Sequence, residues 1–465
     1  MTRNNMTDNA GKVTQQLAAH VAGLSYDNIP PETRETAKRF LLDGIGCLLA
    51  GTRGGPGAMA WRATSHLSTG FGPSTIMISG ARASARDAAF VNGITLYSVG
   101  VNDIHKPSGA HPGGCVVPAL LAVGEWQKSG GRDMLAAMIA GYDVMGRLGR
   151  AMIPSHRDRG FHPTGTFGTF ASTAAVGRLF GLAPATMENA FGIAGSQAAG
   201  LKAFQTDGSL TMIFHAGRAA QNGVEAVMLA REGFTGPRTV FEDKHGFVAA
   251  TADEYRMSAI TQALGSEFEV DATTFRPFYG CTLTITASGC TAAIMKRNPQ
   301  RRAEDVTAIS VRCNPAVVEE VGNPDPQTLL AARLSLPFNV ALVVINGDVL
   351  VGDVTEEDLR APRLRRLMPL VEFKVDESMP RYGSDLTLHF RDGGSDRAEI
   401  LSPKGDPDNP LDWDDIETKF LSLVAPLGHA PLAREIVKRV RNIEATDGTT
   451  LMHSVNALAR ASAQP

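Results

Sequence analysis

The chain has 465 residues, of which 43% are hydrophobic and 20% charged, and its formal net charge at pH 7 is -3. This composition excludes a disordered chain, and the balanced charge offers no basic surface for nucleic acid or an acidic membrane. The length exceeds one ordinary hydrophobic core, so we expect two domains.

Helical periodicity dominates the first part of the chain, residues 1–267. The predicted helices are 32–51, 87–98, 115–127, 133–150, 166–182, 184–200 and 209–232. Short connections rich in Gly, Pro and Asp separate most of them, as in helix bundles. Many glycines lie inside apolar helical stretches, which indicates that helices approach each other closely.

The pattern changes after residue 267. Alternation with period two predicts strands at 306–313, 370–375, 385–390 and 398–401, with a hairpin turn at Asp392-Gly393-Gly394. Further helices are predicted at 283–296, 326–346, 413–424 and 432–440. The sequence therefore predicts a mainly α fold, with a helical domain built from residues 1–267 and 406–465 and a smaller α+β domain of residues 268–405.

The cysteines and the N-terminal residues favour a cytoplasmic protein. The five cysteines are odd in number and include no C-x-x-C pair, which argues against a disulfide framework and a structural zinc site. Residues 1–12 lack the apolar core of a signal peptide, and no uninterrupted apolar run reaches the ~18 residues of a membrane span.

The first segment with chemically active side chains is the loop 102–112, which contains Asp103, His105, Lys106 and His111. An imidazole can act as acid or base near neutral pH, and a lysine can hold a carboxylate. Loops held by rigid helices often carry function, although a solvated polar loop is the alternative.

A second such segment, residues 156–165, places His162, Arg157 and Arg159 just before a helix of small residues. A helix N-terminus presents free N–H groups to an anion. A basic surface turn is the alternative. Neither histidine loop has the spacing of a metal site, so we expect no metal.

Further candidates lie between Lys202 and residue 284. Lys202 stands near a glycine in an apolar context, so it could serve as a base with a lowered pKa or extend to solvent. His215, on a helix among Ala and Gly, is more often a satisfied core group than a catalyst. Residues 276–284, with Arg276 and Tyr279, would lie where the two domains meet, a common place for small-molecule sites. A hydrophobic hinge is the alternative there.

Motifs for common cofactors and nucleophiles are missing from the sequence. No strand precedes the glycines at 192–200, no phosphate loop occurs, and Gly195-Ser196-Gln197 lacks the spacing of a nucleophile elbow. Side-chain acid–base chemistry without a cofactor is therefore the main interpretation.

Taken together and in order, several motifs resemble the MmgE/PrpD family. They stand at 43–51, 88–93, 111–113, 161–164, 215–223, 276–282 and 332–337. The resemblance covers nearly the whole chain. It implies a homodimer with an inserted α+β domain and an active site between the domains that uses no metal or organic cofactor. His111 and His162 match histidines that the family places in that site.

The chain departs from the family's dehydratase and decarboxylase pattern at five positions. The pattern's Asp, Thr, Lys, His and aromatic hydroxyl correspond here to Gly100, Ile104, Met212, Ile285 and Phe338. Because each lost donor or acid removes transition-state stabilisation, these changes favour the family's epimerase-type branch.

We therefore expect a cofactor-independent epimerase that removes and returns a proton next to a carboxylate of an amino-polycarboxylate such as iminodisuccinate. The residues expected to transfer protons are His111, His162, Lys202 and Tyr279. The residues expected to bind substrate are Asp103, His105, Lys106, Arg276 and Arg333. A lyase resembling 2-methylcitrate dehydratase or cis-aconitate decarboxylase is the first alternative, and a non-catalytic polycarboxylate-binding protein is the second.

Overall fold

The computed structural model describes residues 12–349 and 354–461. Its α-helices are α1 Val13–Gly23, α2 Pro31–Gly51, α3 Pro56–Ser65, α4 Ala85–Ser98, α5 Pro112–Gln127, α6 Gly131–Met152, α7 Ser155–Asp158, α8 Pro163–Leu179, α9 Pro184–Gly195, α10 Phe204–Asp207, α11 Thr211–Arg231, α12 Phe247–Thr251, α13 Thr282–Arg297, α14 Pro315–Val321, α15 Leu329–Arg333, α16 Leu336–Asn346, α17 Glu356–Arg360, α18 Pro362–Leu367, α19 Trp413–Val424, α20 Ala430–Arg441 and α21 Gly448–Ala461. The strands are β1 Ser74–Ile76, β2 Ala81–Ala83, β3 Val306–Cys313, β4 Val371–Val375, β5 Ser384–Phe390 and β6 Ser395–Ile400. Short 3-10 helices occur at Tyr26–Asn28, Met257–Ile260, Ala303–Asp305, Met368–Leu370, Ala425–Leu427 and Ile443–Ala445.

The first half of the described chain is a bundle of packed helices, which confirms the mainly α prediction. Helix α8 lies against α6 and α11. Glycines permit the close approach: a Cβ at Gly168 would press on Cys115 and Ala219, and one at Gly223 would overlap Ser172. The expected close packing at helical glycines is therefore confirmed.

Several local features of the fold differ from the sequence prediction, including helices α1, α3 and α21, where no helix was predicted. The antiparallel hairpin of β1 and β2 interrupts the expected all-helical part. The predicted helix 184–200 ends at Gly195. The predicted helix 326–346 is divided into α15 and α16, because Ser335 caps α16 by accepting a hydrogen bond from the Phe338 amide, and Pro337 fits the first turn.

The α+β part contains a four-stranded sheet in the order β4-β3-β5-β6. Strand β3 pairs in parallel with β4 and antiparallel with β5, and β5 continues antiparallel to β6 through the predicted turn at Asp392-Gly393-Gly394. Ile309, Val311 and Cys313 are buried on one face of β3, as their alternation predicts. Helix α13 covers β5 and β6 and also packs against α16.

The C-terminal segment returns to the helical part of the molecule. Helix α19 packs along α2, and α21 packs against α5. The buried ammonium of Lys419 on α19 forms an ion pair with Asp43 on α2 and donates to the Val101 carbonyl at 2.6 Å. The boundaries at residues 267 and 405 stay predictions. In the part of the chain that the structure describes, no helix has both the length and the apolar character to cross a membrane.

Candidate active site

A large cleft with a volume of about 1610 Å³ separates the helical part from the α+β part. Its helical wall includes the loop before α5, the start of α8 and the segment before α11. Its other wall includes the start of α13 and parts of α14 and α15. Six of the nine predicted site residues line this cleft: Lys106, His111, His162, Lys202, Arg276 and Arg333.

His111 is held at the N-terminus of α5 with its tautomer fixed. Its Nδ1 atom lies 2.5 Å from the carbonyl oxygen of Asp103. Because a carbonyl only accepts hydrogen bonds, Nδ1 carries the proton, and the neutral ring keeps its lone pair on Nε2. Burial, followed by the nearby charge of Arg276, lowers the pKa of His111 to about 3. At neutral pH the free protein therefore presents His111 as a proton acceptor.

The side chain of Asp103 lies behind the cleft wall. It is buried and accepts hydrogen bonds from the Gly113 amide at 2.9 Å and the Tyr142 hydroxyl at 2.7 Å. Burial raises the pKa of Asp103 to about 6. Its contribution to the cleft is its carbonyl, which orients His111.

His105 and Tyr279 also lie away from the cleft. His105 is fully buried, with Nδ1 3.0 Å from the Ser108 hydroxyl and Nε2 2.9 Å from the Glu269 carboxylate. Tyr279 is packed in the core, and its hydroxyl donates to the Leu329 carbonyl at 3.4 Å. In this structure both residues stabilise the walls of the cleft, because their polar atoms form hydrogen bonds within the protein.

His162 stands immediately before α8 and pairs with His215 on α11. The two Nδ1 atoms lie 2.9 Å apart, so one proton is shared between them. Burial lowers the pKa of His162 well below its usual range, and the neighbouring His215 lowers it further. Burial also lowers the pKa of His215 to about 4. The Nδ1 contact leaves Nε2 of His162 available for chemistry.

Two arginines form a positive subsite near His111. The buried Arg276 guanidinium donates to the carbonyl and amide oxygens of Asn102, at 2.5 and 2.8 Å, and to the Gly280 carbonyl at 3.3 Å. Arg333 donates to the Ser98 carbonyl at 2.7 Å, and its buried Nε atom has no hydrogen-bond partner in the described part of the chain. Neither arginine forms an ion pair within residues 12–349 and 354–461. Burial, with a smaller effect of the Arg333 charge, lowers the pKa of Arg276.

Lys202 provides positive charge beside His162. Burial and the charge of Arg157 lower the pKa of Lys202. Among the residues described here, the ammonium of Lys202 has no hydrogen-bond or ion-pair partner. Arg157 differs, because Glu320 across the cleft holds it at 2.8 Å and also binds Arg381 at 2.5 Å.

Lys106, the other predicted cation, is already paired. It forms an ion pair with Asp406, and its ammonium lies 4.4 Å from the centre of the Tyr382 ring. The pair links the loop before α5 to the segment that follows β6. Lys106 therefore lines the cleft while its charge is balanced by the protein.

The arrangement suits proton transfer to a polyanion. Two imidazoles face one cleft, and each has unpaired cationic groups nearby. The described residues contain no group of three or more His, Cys, Asp or Glu side chains that could hold a metal ion. Sequence reasoning missed His215 as the partner of His162, since its Ala- and Gly-rich helix gives no signal of that contact. It also missed the bridging role of Glu320.

The fold and the cleft are those of a mainly helical protein with a candidate site between two parts of the chain. The chain belongs to the MmgE/PrpD family: residues 15–259 match the family's N-terminal domain and residues 278–445 its C-terminal domain. It is 28% identical to a cis-aconitate decarboxylase-like protein of Aspergillus oryzae, over 93% of this chain and 95% of the relative. It is 26% identical to human cis-aconitate decarboxylase, over 93% and 92% of the two chains. Identity to the cis-aconitate decarboxylase of Aspergillus terreus is also 26%, over 98% of each chain.

These relatives show that the epimerase prediction is wrong and favour its lyase alternative. That prediction assumed that the five changed positions leave the site without its polar groups. Other residues supply positive charge to the cleft: Arg333 occupies the space beside Gly100, and Lys202 lines the cleft together with Met212. Loss of polar groups at single positions is therefore a poor guide to the reaction.

Proposed function

We propose that the protein is a carboxy-lyase that decarboxylates a small unsaturated tricarboxylate such as cis-aconitate, with no cofactor. The observation that carries the proposal is the pair of cleft imidazoles, His111 and His162, each beside unpaired cationic side chains. Names of relatives similar over almost their whole length support the same reaction. The polycarboxylate substrate and the lyase chemistry are parts of one proposal.

The reaction needs one proton and no oxidant. In cis-aconitate, one carboxylate sits on a saturated carbon next to the carbon–carbon double bond. When that carboxylate leaves as CO2, the electron pair of the broken bond forms a new double bond. The old double bond then takes a proton at its far carbon. The protein must therefore grip the two carboxylates that remain and deliver one proton to carbon.

The cations suit the gripping role. The Arg276 and Arg333 guanidinium groups can hold one carboxylate through charge-assisted hydrogen bonds. Lys202 can hold a second carboxylate near His162. Since these groups lack protein counter-ions among the described residues, a bound carboxylate satisfies them and does not have to displace a partner.

The His162–His215 pair suits proton delivery. A bound trianion raises the pKa of nearby imidazoles and favours a protonated pair. In that form the two Nδ1 atoms share one proton, and each ring carries a proton on Nε2. Delivery of the His162 Nε2 proton to carbon leaves a neutral pair that is still hydrogen-bonded, and solvent restores the proton after each turnover.

Turnover of cis-aconitate in deuterated water tests the proposal. We expect one CO2 for each substrate consumed and a single deuterium on the carbon that is protonated. Substrate that remains unchanged, with no CO2, would contradict the proposal. Loss of water from 2-methylcitrate without CO2 release would point to the dehydratase alternative instead.

A homodimer belongs to the same proposal, since the resemblance to the family implies it. Light scattering on the purified protein should give twice the mass of the chain. A mass equal to one chain would contradict this part alone.

A further inference from the structure

Gly100 lies against the guanidinium of Arg333. Its φ angle is +76°, in the left-handed region that favours glycine. A Cβ atom built on Gly100 would overlap Cζ, Nε and Nη1 of Arg333. The Arg333 guanidinium is fixed in this place by its bond to the Ser98 carbonyl, two residues before the glycine. The space that a side chain at position 100 would need is therefore occupied by a cation.

The Arg333 guanidinium is available to bind an anion. Its Nε is buried without a hydrogen-bond partner, and no carboxylate of residues 12–349 and 354–461 pairs with it. The second unpaired arginine, Arg276, is close enough for the two charges to affect each other, and both line the cleft. Arg276 is buried and Arg333 is partly buried. Two adjacent cations in such a place, without a counter-ion among the described residues, are costly unless a ligand supplies the negative charge.

We propose that Gly100 is a specificity-determining residue. Because it has no side chain, it leaves room for the Arg333 guanidinium, and Arg333 together with Arg276 then binds one carboxylate of the substrate. The inference rests on the proposed function for the identity of the substrate as a tricarboxylate. On this inference, Gly100 replaces the family's Asp because the substrate is bound differently here. An Asp here would displace the guanidinium and also neutralise its charge.

Two substitutions at the glycine test this inference. Gly100→Ala introduces the overlap, and Gly100→Asp restores the residue of the family pattern. We expect both to weaken binding of tricarballylate, a saturated tricarboxylate, by about 10- to 100-fold in calorimetry, the scale of a lost charged hydrogen bond. We also expect kcat/KM for cis-aconitate to fall by a similar factor. Glutarate, which has one carboxylate fewer, should lose less affinity.

Gly181→Ala is the matched control for backbone strain. Gly181 has a similar φ of +63°, but among the described residues no atom beyond the glycine and its chain neighbours lies within 4 Å of the position that an added methyl group would take. Gly181 does not line the cleft. This control should leave tricarballylate binding unchanged while showing the stability cost of a left-handed alanine.

The double variant Gly100→Ala/Arg333→Gln distinguishes displacement of Arg333 from backbone strain at position 100. If the glycine acts by leaving room for Arg333, then Gly100→Ala should change tricarballylate binding less than about threefold once Arg333→Gln has removed the guanidinium. Equal losses in both backgrounds would overturn the inference, as would unchanged or improved binding in Gly100→Asp. Because the binding assay requires no turnover, it still decides on Gly100 if cis-aconitate is not decarboxylated.

Discussion

His162 in the cleft contacts His215 through their Nδ1 atoms, which lie 2.9 Å apart. His215 does not line the cleft, so its effect on the reaction must pass through His162. We expect His215→Phe to lower kcat about 10- to 100-fold with little change in KM, since it removes the Nδ1 partner but keeps ring volume. Steady-state kinetics with cis-aconitate across pH 5–9 would measure this, and the pH optimum should shift as well.

His156→Phe is the matched control for that experiment. His156 is another buried histidine among aromatic rings, 4.9 Å from Phe161 and 4.5 Å from Phe167 between ring centres, but it does not line the cleft. This variant should lose stability and keep kcat at a temperature where it remains folded. A His215→Phe enzyme with unchanged kcat and pH profile would show that His215 only fills space.

The residue types of the site could be predicted from the sequence, but whether each side chain points into the cleft or into the protein could not. His111 and His162 each precede a proline that begins a helix, a local pattern that fixes their position. Asp103 and His105 lie in the same loop as His111, yet their side chains turn into the protein, where Tyr142 and Glu269 engage them. Loop composition does not encode that choice, since it depends on partners distant in sequence.

At the level of elements, the ion pair between Lys419 and Asp43 connects helix α19 of the C-terminal segment to α2. Both side chains are buried, and Lys419 also donates to Val101, next to the loop that carries Asn102. Lys419→Met should lower the free energy of unfolding by about 3–5 kcal/mol, because it leaves Asp43 buried without its counter-ion. Urea unfolding monitored by circular dichroism would measure the change.

Replacing both partners distinguishes charge from packing at this contact. Asp43→Leu/Lys419→Met should recover most of the loss, since no isolated charge remains. An equally unstable double variant would contradict the electrostatic explanation. The exposed pair of Arg360 and Glu356 gives the comparison: Arg360→Ala should cost less than about 0.5 kcal/mol.

The elements that the sequence predicted well are the long ones with a clear period. Helices α2, α4 and α11 and strands β3 and β5 appear close to their expected positions. The short hairpin of β1 and β2 has only three residues in each strand, too few for a periodic signal. The parallel pairing of β3 with β4 depends on the chain that crosses between them, so no local pattern specifies it.

At the scale of the whole molecule, contacts across the cleft join its two parts. Arg157 on α7 reaches Glu320 on α14, and the Lys106 ammonium lies over the Tyr382 ring. A substrate bound between these contacts would touch both parts of the chain. The cleft is thus a product of the complete fold, which explains why residues distant in sequence supply its charges.

Acid should destabilise the whole molecule, because burial lowers the pKa of several histidines in the folded state. The pKa values fall to about 3 for His111 and about 4 for His156 and His215, and that of His162 falls well below its usual range. In the unfolded chain each is about 6.5. Below that pH the unfolded state binds more protons, so stability is complete above about pH 6.5 and is lost as pH falls toward 4.

The acid effect can be assigned to single histidines by comparing variants. Burial raises the pKa of Asp103 to about 6, which favours the folded state in acid and opposes part of the loss. We therefore expect wild type to be less stable to urea at pH 5.5 than at pH 7.5. His156→Phe should reduce that difference by up to about 1.4 kcal/mol for each pH unit below 6.5, since one proton fewer is taken up on unfolding. Equal pH dependence in the two proteins would mean that His156 is not neutral when folded.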